Sequence, residues 1–201
     1  MSPPSHDLGH NPFATRHVRP GAMRYLFPPA CDAEQLVERL RVGGWWGQVV
    51  GAHGSGKSSL LSALAPALAA AGRRVISLAL RDGQRSLGAG WRDLKAIDAH
   101  AQVVVDGYEQ LSGWSRFRLK RRCRRLGAGL LATAHADVGL STLLNTAPDL
   151  AMAQRLVAGL LPPGDRTIAP DDVARAWHAR ESNLREVFFD LYRLYEQRHW
   201  R

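Results

Sequence analysis

The chain has 201 residues, 45% of them apolar, and its 27 Lys and Arg against 18 Asp and Glu leave a formal charge of +9. That length carries one sizeable α/β domain, alone or with a small appendage, and could bury roughly 70% of the unfolded surface; the charge suits an anionic partner and says nothing of fold. Two cysteines, Cys31 and Cys123, fit neither a disulfide framework nor a zinc site, no run of apolar residues is long enough to span a bilayer, and the N-terminus lacks a basic patch followed by an apolar run. The expectation is a cytoplasmic protein with no membrane partner.

Residues 1–21 are rich in Pro, His and Gly without periodicity and read as an irregular N-terminal arm. From Asp32, "DAEQLVERLRVGG" offers an N-cap residue, apolar positions at helical spacing and a closing glycine pair, which predicts a helix. "WWGQVVG" reads as a short buried strand. "KSSLLSALAPALAAAG" follows as a helix ending at Gly72, with a kink expected where Pro66 removes a donor and crowds the carbonyl of Ser62. A second strand is predicted over 73–80 and a short helix over 91–100. "QVVVDGY" (102–108) is nearly continuous apolar sequence, as strands covered on both faces are. "WSRFRLKRRCRRLG" is a basic helix, "GLLATAH" (129–135) another buried strand, and "LSTLLNT" a last, shorter one. The remainder has helical spacing throughout.

Strands alternating with helices predict an α/β fold: a parallel, doubly wound sheet with helices on both faces and a small C-terminal helical appendage. The expected domains are the arm (1–21), the α/β core (22–147) and the helical appendage (148–201), which the motifs below make a P-loop NTPase sheet and its lid.

The chemistry concentrates in "GAHGSGKSS". Gly51, Gly56, Lys57 and Ser58 match the pattern G-x-x-x-x-G-K-[ST], and the match lies between a strand and a helix, where backbone N–H groups can curl around phosphates and the helix start adds its dipole. The expected phosphate cradle is Gly51, Ala52, His53, Gly54, Ser55, Gly56, Lys57, Ser58 and Ser59. Lys57 would reach the β and γ phosphates of ATP, and the Ser58 hydroxyl would ligate Mg²⁺. Asp106, ending a buried strand in "VVVDGYEQL", is the second expected holder of Mg²⁺. Taken alone, an Asp after valines is as well explained as a cap for the next element.

With these motifs the sequence resembles the AAA+ branch of P-loop ATPases over about residues 22 to 197. The likeness rests on "GAHGSGKSS", "VVVDGYEQL", "GLLATAH" and the tail segment "ESNLREVFFDLYRLYE". It implies that Thr133 acts as a sensor-1 polar residue at a strand end and that Arg185 acts as the sensor-2 arginine of the lid. "NPFATRHVRPGAMRYLF" is similar to the N-terminal segment of ExeA-type and transposition-associated AAA ATPases, and no subfamily is assigned. Three departures from the family pattern stand out. Gly107 occupies the position after Asp106 where efficient hydrolases place Glu, so Glu109 is the nearest displaced base unless it merely supports the next helix start. Ser182 replaces the usual glycine before Asn183. "ADVGLSTLLNT" contains no arginine finger.

The basic helix has seven cations within residues 116–125. Its first reading is a solvated face whose aliphatic stems cover the sheet; its second is a contact with nucleic acid. Scattered histidines give no metal-ligand spacing. Adenine contacts leave little trace beyond the segment 24–30. The expected function is Mg²⁺-dependent ATP hydrolysis coupled to lid movement and to a protein partner or a second copy of the chain. The alternatives are a weakly hydrolysing nucleotide switch or adaptor that recruits nucleic acid or protein, and a P-loop small-molecule kinase. Strand order discriminates: a strand between those bearing Lys57 and Asp106 fits AAA+, while adjacent strands fit the kinases.

Overall fold

A computed structural model describes residues 11–80, 83–88 and 90–199. Its elements run α1 (Thr15–Val18), α2 (Ala33–Val42), β1 (Trp46–Val50), α3 (Lys57–Ala70), β2 (Arg74–Ala79), α4 (Gly90–Asp93), β3 (Ala101–Asp106), α5 (Gly113–Arg125), β4 (Gly129–Ala134), β5 (Thr142–Asn145), α6 (Leu150–Leu160), α7 (Pro170–Ala179) and α8 (Leu184–His199). They fall into two compact units: one spans 24–147, and the other joins the described residues up to Met23 with those from Pro148 onward.

The larger unit is a five-stranded, all-parallel sheet in the order β2-β3-β4-β1-β5. Side chains alternate across each strand, and the burial follows that alternation. Val103, Val105, Leu130 and Ala132 join Leu119 and Cys123 of α5 in one cluster. Val104 and Leu131 join Leu36, Leu40, Leu60, Leu64 and Leu68 from α2 and α3 in another. Helices therefore flank both faces, which is why β3 and β4 read as unbroken apolar runs.

The local stops have identifiable causes. Asp32 caps α2 through Gln35 N–H at 2.8 Å. The expected helix over 91–100 is shorter: α4 ends at Asp93, a 3₁₀ turn follows over Leu94–Ala96, and the Asp98 carboxylate then accepts His100 N–H at 2.9 Å. An Asp bonded to nearby backbone offers the chain an alternative to helix, and here it turns the chain into β3. The strand expected to reach residue 108 stops at Asp106, because Gly107 takes φ +79° and starts a 3₁₀ turn over Tyr108–Gln110. Pro66 lies within an uninterrupted α3.

In the smaller unit, Phe13 packs with Val157, Val173, Trp177, Val187, Phe188 and Leu191 in a cluster of its own. The segment expected to be an irregular arm contains the helical turn α1, and Asn11 anchors it: Oδ1 accepts Phe13 N–H at 2.9 Å, and Nδ2 donates to Glu196 Oε1 at 2.8 Å. The arm's first ten residues lie outside the described ones. Among the described residues, no helix is long and apolar enough to cross a membrane.

Candidate functional site

All five strands point the same way, so Gly51, Asp106, Thr133 and Thr146 gather at their carboxyl ends, where open parallel sheets place ligands. The loop between β1 and α3 is shaped by glycines at two levels. Gly54 and Gly56 adopt φ +69° and +92°, the left-handed region that glycine enters without penalty. At Gly51 the constraint is space: a Cβ would stand 2.1 Å from Thr146 Oγ1, 2.5 Å from Thr146 O and 2.6 Å from Ser55 Oγ. Ser55 and Thr146 hydroxyls share a hydrogen bond of 2.6 Å across that gap.

The loop delivers α3 with Gly56 at its N-cap and no side chain capping it, whereas Asp32, Ser112 and Asp149 cap α2, α5 and α6. The orphan N–H groups and the positive end of the helix dipole face the loop. Lys57 is buried, and its ammonium donates to the carbonyls of Gly51 and Ala52 at 2.7 Å each. Burial pulls its pKa below the ordinary lysine value, while the charges of Glu109 and Asp106 oppose that shift.

Asp106 is the centre of the polar cluster. Ser58 Oγ donates to its Oδ2 at 2.5 Å, and Thr133 Oγ1 donates to its Oδ1 at 2.5 Å. Thr133 in turn accepts Gly107 N–H at 2.9 Å, which ties the end of β3 to β4. Beyond Gly107, Glu109 sits in the 3₁₀ turn and not in the first turn of α5, whose start is capped by Ser112. The helical element that Glu109 opens is thus the 3₁₀ turn, with Glu109 in its first turn. Its Oε1 lies 3.0 Å from His135 Nδ1, and its buried Oε2 has no hydrogen-bond partner among the described residues. The His135 ring meets that of His53 from the loop, with centroids 3.7 Å apart.

The structure thus brings Lys57, Ser58, Asp106, Glu109 and Thr133 together, with His53, Ser55 and Gly51 beside them. Arg185 belongs to the other unit, in the first turn of α8, where Asn183 Oδ1 accepts its N–H at 3.1 Å. Preceding it, Glu181 and Ser182 stand at φ +47° and +66°. Tyr25, from the segment guessed for adenine, lies beside Gly56, where a Cβ would be 3.6 Å from its Cε2, and meets Phe27 edge-on at 4.9 Å. Burial raises the Tyr25 phenol pKa to about 12.

Three contacts escaped the sequence reading: His135 on Glu109, Thr146 over Gly51, and Gln48. Gln48 is buried in β1, and its amide donates to Asp137 Oδ1 at 2.8 Å and Thr142 Oγ1 at 2.9 Å while its Oε1 accepts Val138 N–H at 3.0 Å. It holds the loop between β4 and β5. A polar residue in the middle of an apolar strand was the signal available for it.

For a metal, the fit is to a hard cation with few protein ligands. Among the described residues, no group of three or more His, Cys, Asp or Glu is placed to hold an ion. A hydroxyl and a carboxylate within hydrogen-bond distance, as at Ser58 and Asp106, are the oxygen donors that suit Mg²⁺, which keeps several waters and takes the rest of its shell from phosphates. No family model matches the chain, and no curated protein matches it either.

Proposed function

We propose that the chain binds ATP with Mg²⁺ at residues 51–59 and hydrolyses it, as a P-loop ATPase of the AAA+ type. The observation that carries this reading is the Asp106 carboxylate, which holds Ser58 from the loop helix on one oxygen and Thr133 from β4 on the other. Strand order supports it as well: β4 lies between β1 and β3, as in AAA+ and unlike the kinases.

In this scheme the free amides of the loop and the N-terminus of α3 receive the phosphates, and the Lys57 ammonium exchanges the Gly51 and Ala52 carbonyls for phosphate oxygens. Ser58 and Asp106 would hold Mg²⁺, which would supply neutralisation of phosphate charge. Glu109 is the base. Its unpartnered Oε2 takes the proton of the attacking water while His135 holds Oε1; the bond from that water oxygen to the γ phosphorus forms as the bond to the ADP oxygen breaks. Thr133 orients Asp106 through a hydroxyl bond. The role that the resemblance gives Arg185 is that of a γ-phosphate contact, with lid movement passed to a partner or a second copy.

Calorimetry with Mg-ATP and steady-state ADP release test this directly. The expected results are saturable heat that disappears in Lys57→Ala, and turnover that disappears in Glu109→Gln with the heat retained. Absent heat from folded wild-type protein would overturn the reading. Gly107 favours a second one, a nucleotide-dependent switch that hydrolyses slowly, since it leaves no carboxylate next to Asp106. Saturable binding with no ADP release would establish that alternative.

A further inference from the structure

Away from the loop cluster, α5 concentrates charge and exposed aromatic surface on one face. Ser115, Leu119 and Cys123, four residues apart, are its buried side. Trp114, Phe117, Arg118, Arg121 and Arg125 follow at intervals of three, four, seven and eleven from the first, which sets them on the opposite side. Trp114 is 67% exposed and Phe117 54%. Their rings stack on each other with centroids 5.7 Å apart and planes 25° from parallel. Trp91 stands alongside with the Arg118 guanidinium 4.7 Å from its ring centre, and the shallow depression between these groups measures about 350 Å³.

The seven cations divide into two sets. Arg116 and Arg122 donate to the carbonyls of Glu109 and Leu94, while Lys120 and Arg124 lie over Tyr108 and Trp46. Those four contact the body of the unit, and Arg122 also borders the depression. Arg118, Arg121 and Arg125 share the aromatic face. The chain has no Asp or Glu between Glu109 and Asp137, and among the described residues no carboxylate forms an ion pair with α5.

We propose that this face binds single-stranded nucleic acid, with bases stacking on the Trp114 and Phe117 rings and phosphates meeting Arg118, Arg121 and Arg125. Exposed rings amid cations that form no ion pair with a carboxylate of the described residues call for an occupant that is flat and anionic along its length. A single strand offers both, and stacking on aromatic side chains is how such strands are held without base readout. Duplex hides its base faces, leaving the rings nothing to stack on, and an acidic peptide would satisfy the arginines alone. Eleven residues of helix cover about 16 Å, room for several nucleotides. The surface includes none of the groups assigned to ATP.

Fluorescence anisotropy with the whole chain, in the absence of ATP, tests the proposal using labelled oligo-dT, oligo-U and duplex DNA of about 15 units, a length within the range such sites occupy. At least one of the two single strands is expected to bind about tenfold tighter than duplex and to quench tryptophan fluorescence, and the two arms tell DNA from RNA. Trp114→Ala with Phe117→Ala should weaken binding by about tenfold or more with the circular dichroism spectrum unchanged, both side chains being exposed. Arg121→Gln with Arg125→Gln should reduce the salt slope by about 1.4. Lys57→Ala should bind the strands as wild type does, so that failure of the ATP reading remains a separate result. Equal affinity for duplex, full affinity in the aromatic double variant, or saturation by polyglutamate with no binding of either oligonucleotide would each overturn it.

Discussion

Ser58 donates to Asp106 at 2.5 Å across 48 positions of sequence, although the strands that lead to them are not neighbours. β4 stands between β1 and β3, so two strand spacings of about 4.8 Å separate their ends. The glycine loop and the first turn of α3 span that gap. A hydroxyl and a carboxylate brought together in this way define an oxygen pair before any ligand arrives, and Thr133 fixes the free rotation of the carboxylate from the far side.

If that pair holds Mg²⁺, removing its charge while keeping its shape separates metal from phosphate binding. Asp106→Asn should weaken Mg-ATP by about tenfold or more and leave ATP in excess chelator bound as in wild type, because the loop amides and Lys57 are untouched. Calorimetry with and without Mg²⁺ measures both quantities. An equal loss in the two conditions would mean that Asp106 acts only in holding the fold.

Gly51 is constrained by space and not by conformation. A methyl group there meets Thr146 Oγ1, Thr146 O and Ser55 Oγ at 2.1 to 2.6 Å, and one of the three is backbone. Gly51→Ala should therefore cost about 2 kcal/mol, lowering Tm by several degrees. Thr146→Ala, which removes the hydroxyl, should recover only part of the loss because the carbonyl remains. Thermal unfolding of wild type, Gly51→Ala and the variant carrying both substitutions checks the order.

How much of this was legible in the sequence depends on whether a feature is local. The strand-turn-helix around Lys57 was readable because a glycine-studded turn after two valines has few other uses, and the bounds of α2, α3 and β4 followed from caps and apolar runs. The helix over 91–100 failed because Asp98 bonds the backbone two residues on and diverts the chain, a competition that apolar spacing does not register. Glu109 was visible as a carboxylate, yet its partner His135 comes from β4's far end, and only the pairing of strands brings the two together. Thr146 over Gly51 is hidden for the same reason: its position is set by the register of β5 against β1.

Ser182, where the resemblance would have glycine, stands at φ +66°, a conformation in which a Cβ is strained. Ser182→Gly should raise stability by about 1 kcal/mol, seen as a Tm higher by a few degrees. No change would show that the side chain offsets its own strain.

Asp172, buried at the start of α7, couples the helical unit to pH. Two bonds from Arg198, at 2.5 and 2.9 Å, hold its carboxyl below the usual range; burial opposes them, and Ala169 N–H at 2.8 Å with the Arg198 and Arg175 charges adds to the lowering. A carboxylate depressed in the folded state contributes its full stability above the unfolded value, near 3.9, and loses it as pH falls through the folded one. From about pH 4 downward, wild type should lose stability faster than Asp172→Asn. At neutral pH, Asp172→Ala should cost about 1 kcal/mol, chiefly through the lost bond to Ala169 N–H at the start of α7, since Arg198 is exposed enough to be hydrated. Urea melts followed across this pH range test both statements.

By the resemblance, Gly107 stands where AAA+ hydrolases carry a Glu, and the backbone shows what a glutamate there would entail. Its φ is +79°, and a Cβ would be 3.3 Å from the Leu80 carbonyl oxygen and 3.5 Å from Gln110 Cγ. A glutamate at this position pays left-handed strain of about 1–2 kcal/mol, and relieving that strain would pull the Gly107 N–H away from Thr133 and so disturb Asp106. Gly107→Glu should therefore lower Tm without raising ADP release above the wild-type rate. Turnover raised in Gly107→Glu and kept in Glu109→Gln would instead move the base from residue 109 to residue 107. The backbone at Gly107 thus argues that any hydrolysis here is built around the 3₁₀ turn, with Glu109 as its carboxylate and His135 as the partner that holds it.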